Sequence, residues 1–397
     1  MARAPTISLL VVGNQRGMLK PCGCSKPQRG GLERLAVLLE RARRRAGRGF
    51  GALSLGWTAS ARAEEQTETK AALYRRALEV MGFDAMVLGT TDLFVPAMAQ
   101  PYGGESELLR PAPPGNAPLS VTGPLAVAAD TRVIVDLEIR GLKIRVLSLL
   151  DPAWLLRLSG VAILVQGPGG SLQRLEPRPD TLWIVSTDAT GEAIEDVKRA
   201  MKRLGPTVIV DFGRGGGSDH VEDVRLDDGP QVVTMDDLGK EVGLLDLDRL
   251  PPREGGGWRI AWHAVGLTPA LDRADTPLRR EMASLFASYE RRVRERGYLA
   301  RFPTYADAER ASYVGSGRCV SCHEAIYRDW LATPHARALV TLENRGSHWN
   351  PECVRCHVVG FQRFNDGRWG RMASGFRDPA RTPFLGGVGC ESCHGPG

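Results

Sequence analysis

The sequence predicts an α/β layered sandwich followed by a small, mostly helical and irregular domain. Up to about residue 265, short apolar β-rich runs alternate with helical patterns, which is typical of a sheet with helices packed on it. Beyond Ser312, aliphatic runs almost vanish while Gly, Pro, His, Trp and Cys become dense. We therefore expect residues 1–266 to form the layered domain, 267–311 a helical linker and 312–397 the small domain.

Apolar runs and amphipathic patterns locate the elements of the first domain. The run Ile7–Val12 predicts a buried strand, and Gly31–Arg45 predicts a helix with its leucines on one face. Helices are also predicted at Lys70–Met81 and Ala193–Leu204. Further strands are predicted at Ala52–Leu55, Ala85–Leu88, Thr131–Ile139, Lys143–Leu149, Thr181–Val185 and Thr207–Val210.

One helix is predicted within the linker. Thr276 suits the N-cap position and Pro277 the first helical position. An apolar pattern continues from there through Met282 and Tyr289 to about Arg296.

Composition excludes two classes of function. The net charge is only +6 over 397 residues, and no basic stripe with interleaved aromatic residues occurs, so nucleic-acid binding is not expected. No stretch approaches the roughly 20 apolar residues that span a bilayer, so we expect no integral membrane segment. The segment Met1–Val12 lacks the apolar length and cleavage site of an export signal.

Six of the eight cysteines form Cys-x-x-Cys pairs near the end of the sequence, and a histidine follows each pair at once. In c-type haem, two thiols add to the porphyrin vinyl groups and the next histidine binds the iron. We therefore predict at least three covalent haem c groups, each with a proximal histidine. The motifs are Cys319-Val-Ser-Cys322-His323, Cys353-Val-Arg-Cys356-His357 and Cys390-Glu-Ser-Cys393-His394.

Two other interpretations of the cysteines stay open. The first two pairs could form a Cys₄ zinc site, although the gap between them exceeds the usual spacing and the third pair would be left over. Disulfides within the pairs would close loops too short to stabilise much. Haem explains all six cysteines and also the three histidines that follow them.

The sequence assigns the proximal iron ligands one by one, but for the distal ligands it offers only candidates. His335 and His348 are the two remaining histidines of the segment, and both are distal candidates. At least one iron would then lack a distal ligand, or would be bound by Met372, by His220 or His263 upstream, or by another chain. We interpret His263 as a packing residue. A saturated iron suits electron transfer, whereas an open one allows substrate binding.

The small domain has few aliphatic side chains from which to build a core. Residues 312–397 cannot bury a conventional core of their own, so haem is expected to fill the middle. We expect this segment to be largely unfolded without haem.

The C-terminal segment resembles the cytochrome c-554 type of multihaem cytochrome. The resemblance rests on the three motifs and on Trp330…Pro334-His335-Ala336, His357-Val-Val-Gly360 and Val388-Gly-Cys390. It implies that His323, His357 and His394 are proximal ligands and His335 a distal one. Members of the family continue to a fourth haem site, so additional ligands are expected from missing C-terminal sequence.

The N-terminal region is similar to the metallophosphoesterase domain of 5′-nucleotidase-like proteins. The order of elements supports this over residues 6–249, with Cys22-Gly23-Cys24 near the start. Such enzymes hold two metals after successive strands, but the corresponding segments here lack nearly every ligand. They read Gly13-Asn14-Gln15-Arg16, Leu55-Gly56-Trp57, Gly89-Thr90-Thr91-Asp92 and Asp211-Phe212-Gly213-Arg214. We expect a degenerate, inactive site, and leave open whether Cys22 and Cys24 bind a metal or are plain buried thiols.

These observations favour an electron carrier that interacts with redox partner proteins. The alternatives are a haem-dependent oxidoreductase acting on a small nitrogen or sulfur compound, and a phosphoesterase that uses Asp92. Covalent haem assembly implies a periplasmic location, so we expect an upstream extension that encodes the export signal.

Overall fold

A computed structural model describes the chain except residues 1–5, 22–26, 61–64, 90, 93–94, 96–97, 99–119, 122–131, 150–171, 174, 190, 213–219, 237, 308–310 and 366–367. The chain divides into two compact units, Met1–Leu285 (unit 1) and Phe286–Gly397 (unit 2). Each unit is described by itself. Cys22 and Cys24 lie outside the described residues.

The elements of unit 1 alternate between strands and helices over most of its length. In chain order they are β1 (Ile7–Val12), α1 (Leu32–Ala46), β2 (Phe50–Ser54), α2 (Glu65–Met81), β3 (Ala85–Met86), β4 (Ser120–Val121), β5 (Arg132–Ile139), β6 (Leu142–Leu149), β7 (Thr181–Thr187), α3 (Glu192–Leu204), β8 (Thr207–Asp211), β9 (His220–Arg225), β10 (Gln231–Thr234), β11 (Glu241–Arg249), β12 (Trp258–Gly266) and α4 (Pro277–Glu295), which continues past Leu285 into unit 2.

Two sheets form the middle of unit 1. The seven-stranded sheet has the order β4-β3-β2-β1-β11-β12-β9, in which β1 to β4 run parallel and β11, β12 and β9 pair antiparallel. The five-stranded sheet has the order β10-β8-β7-β6-β5 and is parallel except for the β5–β6 hairpin. Parallel strands buried on both faces read as continuous apolar runs, which is why β1 was predictable.

The main core lies between these two sheets. It includes Leu9 and Leu245 from the seven-stranded sheet and Ile184 and Val208 from the five-stranded one. A second core joins the five-stranded sheet to α3, whose Ile194, Val197, Met201 and Leu204 are buried. Helix α1 packs on β1 and β2. Helix, sheet, sheet and helix are therefore layered in that order, and the predicted α/β layered sandwich is confirmed.

The helices follow local sequence signals. In α1, Leu32, Leu35, Ala36 and Leu39 recur at helical spacing and are buried. Its last turn is basic, which suits the negative end of a helix. Helix α4 begins as predicted, because the Thr276 hydroxyl accepts a hydrogen bond from the Arg279 N–H at 3.3 Å.

Unit 2 is built from short helices and a small three-stranded sheet. After α4 the elements are β13 (Thr304–Tyr305), α5 (Val320–Leu331), α6 (Ala338–Glu343), α7 (Pro351–His357), β14 (Phe361–Arg363), β15 (Trp369–Met372) and α8 (Glu391–His394). The predicted mostly helical and irregular character is confirmed.

Unit 2 has a small apolar core, and the expectation that the segment has none of its own is wrong in this respect. Ten residues form it, including Leu342, Val354, Phe376 and Leu385. They come from α6, α7, β15 and the connecting segments of the unit, where the sequence shows no long apolar run. Within the described part of the chain, no helix combines the length and apolar character needed to cross a membrane.

Candidate haem-attachment site

The three Cys-x-x-Cys-His motifs have the same local form. Each lies at or in a short helix: the first at the start of α5, the second at the end of α7 and the third at α8. In a helical turn, side chains three residues apart share a face, so both thiols of a pair can reach one edge of a flat group. None of the six cysteines is in a disulfide, and in each pair the first side chain is partly buried and the second exposed: Cys319 and Cys322, Cys353 and Cys356, Cys390 and Cys393.

The histidine of the second motif is already oriented. His357 Nδ1 lies 2.7 Å from the carbonyl oxygen of Ala338. Because a carbonyl only accepts hydrogen bonds, Nδ1 carries the hydrogen and Nε2 keeps its lone pair. This arrangement is usual for a metal-binding histidine. His323 and His394 are exposed, and His323 departs from helical geometry with φ −129° and ψ 40°.

The first and third motifs lie side by side. The Cys319 and Cys390 thiols are close enough to interact directly, and partial burial together with the Cys390 thiol raises the pKa of Cys319. The Ser316 hydroxyl accepts a hydrogen bond from the Cys390 N–H at 3.0 Å. Groups attached at these two motifs would therefore be neighbours.

A buried carboxylate fastens these two motifs together. Glu391, within the third motif, accepts hydrogen bonds from the N–H groups of Val314, Gly315 and Gly397 at 2.8, 2.7 and 3.1 Å. This glutamate was not predicted as a functional residue. In the sequence it is recognisable only as a carboxylate in the first turn of a helix, and such residues are also common without any special role.

The third motif is also joined to the second motif and to the predicted distal region. The Gly387 N–H donates a hydrogen bond to the His357 carbonyl at 3.0 Å, and Val358 and Gly386 form an isolated antiparallel β-bridge. The Val388 N–H donates to the His335 carbonyl, also at 3.0 Å. All three motifs are thus tied through one short stretch of backbone.

The two distal candidates lie in different surroundings. The His335 side chain is exposed. His348 is half-buried, and burial lowers the pKa of its imidazole. Its Nδ1 is buried without a hydrogen-bond partner among the described residues. Met372 is packed in the core of unit 2, and His220 and His263 lie on the sandwich strands of unit 1.

The surface of unit 2 suits a large apolar group. Helix α5 has twelve residues and buries none of them, although a helix of a folded domain normally buries one face. Every large apolar side chain found exposed among the described residues lies in this unit, and the set is Val314, Ile326, Leu331, Val340 and Phe384. Cysteines that are not in disulfides, an oriented imidazole and uncovered apolar surface together fit the porphyrin.

Among the described residues at the strand ends of unit 1 are two packed aromatic rings and an aspartate whose oxygens are already hydrogen-bonded. After β1, a Cβ on Gly13 would lie 2.4 Å from the Phe212 ring, and that ring packs edge-on against Trp57 at 5.2 Å. Both aromatic side chains are buried between the sheets. Asp92 is fully buried, and its carboxylate accepts hydrogen bonds from Thr58 through both N–H and hydroxyl, and from the Ala59 and Gly89 N–H groups.

The C-terminal residues match a known family. The family model described as cytochrome c554 and c-prime matches residues 318–395. The cytochrome c-554 of Nitrosomonas europaea is 36% identical over 102 residues, which cover 22% of this chain and 40% of that protein. The C-terminal segment is similar to cytochrome c554. The predicted resemblance is confirmed, and it implies haem c. The chain spans about two fifths of the length of this cytochrome c-554.

Solved structures similar to the chain include phosphoesterases. One is the 5′-nucleotidase precursor from Thermus thermophilus, 15% identical, with a TM-score of 0.49 over 76% of this chain and 61% of that one. Another is the calcineurin-like phosphoesterase YfkN from Bacillus subtilis, 11% identical, with a TM-score of 0.47 over 72% of this chain and 98% of that one. These are the proteins that the N-terminal sequence resembles.

Proposed function

We propose that this protein is a periplasmic multihaem electron carrier in which unit 2 attaches at least three haem c groups. One observation carries the proposal: six cysteines, none of them in a disulfide, lie as three pairs at or in helical turns, each with a histidine next to it. Haem iron supplies reversible one-electron chemistry when bound.

The side chains of unit 2 have distinct roles in this proposal. The six cysteines hold the porphyrin edges, and His323, His357 and His394 bind iron on the proximal side. The Ala338 carbonyl keeps the His357 ring in one tautomer. Glu391 holds the first and third motifs together. His335 and His348 are the proposed distal ligands.

The decisive measurement is a pyridine haemochrome spectrum combined with intact mass. Protein matured with haem-ligation machinery should show a c-type spectrum and at least three haem masses on the polypeptide. The double variant Cys353→Ala/Cys356→Ala should lose one haem mass, while Ser321→Ala, between the thiols of the first motif, should lose none. Colourless protein, or zinc bound through these thiols, would contradict the proposal.

We propose that unit 1 does not hydrolyse phosphoesters and serves as a scaffold or docking domain for redox partners. The Phe212 and Trp57 rings fill the space between the sheets beside the strand ends, and the oxygens of Asp92 are engaged by loop N–H groups. Manganese-supplemented protein should show no phosphomonoesterase activity. Activity that disappears in Asp92→Asn would revive the hydrolase alternative.

An arginine-lined cavity favours a second candidate, a haem-dependent oxidoreductase acting on a small nitrogen or sulfur oxyanion. The cavity in unit 2 measures about 310 Å³ and is lined by Trp349, Asp378 and four arginines, Arg294, Arg371, Arg377 and Arg381. Its positive excess suits an anion. Binding of nitrite or sulfite that shifts the visible spectrum, and is weakened in Arg377→Ala, would favour this candidate over a simple carrier.

A further inference from the structure

We propose that His220, Glu222 and His263 form a binding site for a divalent transition metal ion of the zinc class on the outer edge of the seven-stranded sheet. Their potential ligand atoms, one from each residue, all lie within 4.8 Å of one another. The site is in unit 1 and is independent of haem attachment.

The sheet places the two histidines directly opposite each other. His263 on β12 pairs with His220 on β9, the edge strand. Their Nδ1 atoms lie 3.2 Å apart, and their ring centroids 4.6 Å apart. A tetrahedral zinc ion with Zn–N bonds of 2.0–2.1 Å would hold two nitrogens about 3.3 Å apart. Backbone pairing therefore sets a spacing that a metal ion can use without rearrangement of the strands.

A β-bulge brings the carboxylate to the same place. Val221 pairs with Trp262 and Val224 with Ile260, so β9 advances three residues where β12 advances two. The extra residue falls at Glu222–Asp223. Glu222 Oε1 lies 2.9 Å from His220 Nε2. Bulges often re-aim a side chain beside a functional site. Two imidazoles with one carboxylate is a donor set used by zinc and by non-haem iron.

The site lies on the face of the seven-stranded sheet that is turned away from the core between the sheets. Trp262 points into the core between the sheets, so its neighbour His263 faces the opposite side of the sheet. His220 and Glu222 are exposed and His263 is partly exposed. An incoming ion can therefore reach the donors from solvent and keep water in its remaining positions. The prediction that His263 is a packing residue is the alternative to this proposal.

The free protein contains a hydrogen-bonded chain at this place. The hydrogen between the two facing Nδ1 atoms can belong to only one of them, so the other ring offers a lone pair. A zinc ion between the rings would displace that hydrogen, and the neutral ring that held it would carry it on Nε2 instead. The competing interpretation is a histidine pair that only shares a hydrogen, and zinc binding distinguishes the two.

The test is zinc titration of the full-length, haem-loaded protein by calorimetry, with metal analysis after dialysis. Wild-type protein should bind one more zinc ion than His263→Ala or His220→Ala. Zinc held by any other group is common to all variants and cancels in this difference. Glu222→Gln should weaken binding at least about tenfold. Glu195→Gln, an exposed glutamate on α3, is the matched control and should bind like wild type.

Equal zinc content in wild type and both histidine variants would overturn the proposal. Because the substituted side chains are exposed, thermal melting should change little. If a histidine variant fails to fold, Glu222→Gln and an anomalous-scattering map of wild-type crystals at the zinc edge decide the matter. A peak between the two rings supports the site, and zinc located only elsewhere overturns it.

Discussion

At the scale of single residues, His357 shows how backbone geometry can prepare a side chain for a metal. Its Nδ1 is hydrogen-bonded to the main-chain carbonyl of Ala338, and a side-chain substitution at position 338 would not remove that carbonyl. The sequence predicted the histidine from its spacing to the cysteines. It could not predict the carbonyl partner, because Ala338 lies nineteen residues away and contributes only backbone.

The two distal candidates give the first prediction. His335→Ala and His348→Ala should each leave one haem iron without a distal imidazole, so each variant should gain high-spin signal in visible and electron paramagnetic resonance spectra. The two effects should add, since the residues lie on separate segments. Glu195→Gln, at an exposed position of α3 in unit 1, is the control and should leave the spectra unchanged. Unchanged spin state in both variants would exclude these ligands.

The buried Arg34 gives a prediction about pH. Asp272 holds its guanidinium through two bonds at 2.7 and 2.8 Å, and Arg34 holds the pKa of this carboxyl below its usual range. Because the pKa of Asp272 is lower in the folded than in the unfolded protein, its ionised carboxylate stabilises unit 1 at pH values above the unfolded pKa of about 3.9. This stabilisation is lost as the pH falls through the folded pKa. Asp272→Asn should cost about 1–2 kcal/mol at pH 7, allowing for partial exposure.

Urea unfolding of unit 1 at several pH values measures this effect. The difference between wild type and Asp272→Asn should shrink below about pH 4. Asp275→Asn removes an exposed partner of Arg280 and should change the free energy of unfolding by less than about 0.5 kcal/mol. A difference that stays constant down to pH 2 would show that the carboxylate charge is not the cause.

At the scale of elements, α5 carries the apolar face that haem is proposed to cover. Ile326 is 64% exposed in the middle of this helix. If haem buries it, Ile326→Ser should destabilise the haem-loaded protein by about 1–3 kcal/mol. Guanidinium unfolding followed at the haem absorption band measures this. Arg328→Ser, exposed on the same helix, should have little effect, and equal effects of both substitutions would contradict a covered face.

Strands and helices with a clear apolar pattern were predictable from the sequence, whereas strands recognised only by their pairing with a neighbouring strand were not. Strands β1, β7 and β8 read as largely apolar runs because both faces are buried. Strand β9 has only two apolar residues in six and is an edge strand, so its sequence resembles a polar loop. The His220–His263 pair depends on the register of β9 and β12, which sequence periodicity does not specify.

At the scale of the whole molecule, the two units should differ in their dependence on haem. Unit 1 buries two extensive cores, whereas unit 2 has a single ten-residue core and uncovered apolar surface. Protein produced without haem ligation should therefore keep unit 1 resistant to limited proteolysis while unit 2 is digested. Haem-loaded protein is the control and should resist digestion in both units. Equal resistance of unit 2 with and without haem would contradict the expectation.

The broad division of the chain followed from composition, because the cysteine-rich part contrasts with the apolar runs before it. The domain limits 1–266, 267–311 and 312–397 stay a prediction. Composition could not indicate that the C-terminal part has a core of its own, since residues such as Phe376 and Leu385 are isolated in sequence and meet only in the folded unit.

The aromatic pair of Phe212 and Trp57 makes the strand ends of unit 1 important for its stability. Both rings lie in the core between the sheets, where they pack against each other. Removing either ring should cost about 3–5 kcal/mol, against a total stability of about 5–15 kcal/mol. A substitution that opened a cavity at these strand ends would therefore use up a large part of the stability of the whole unit.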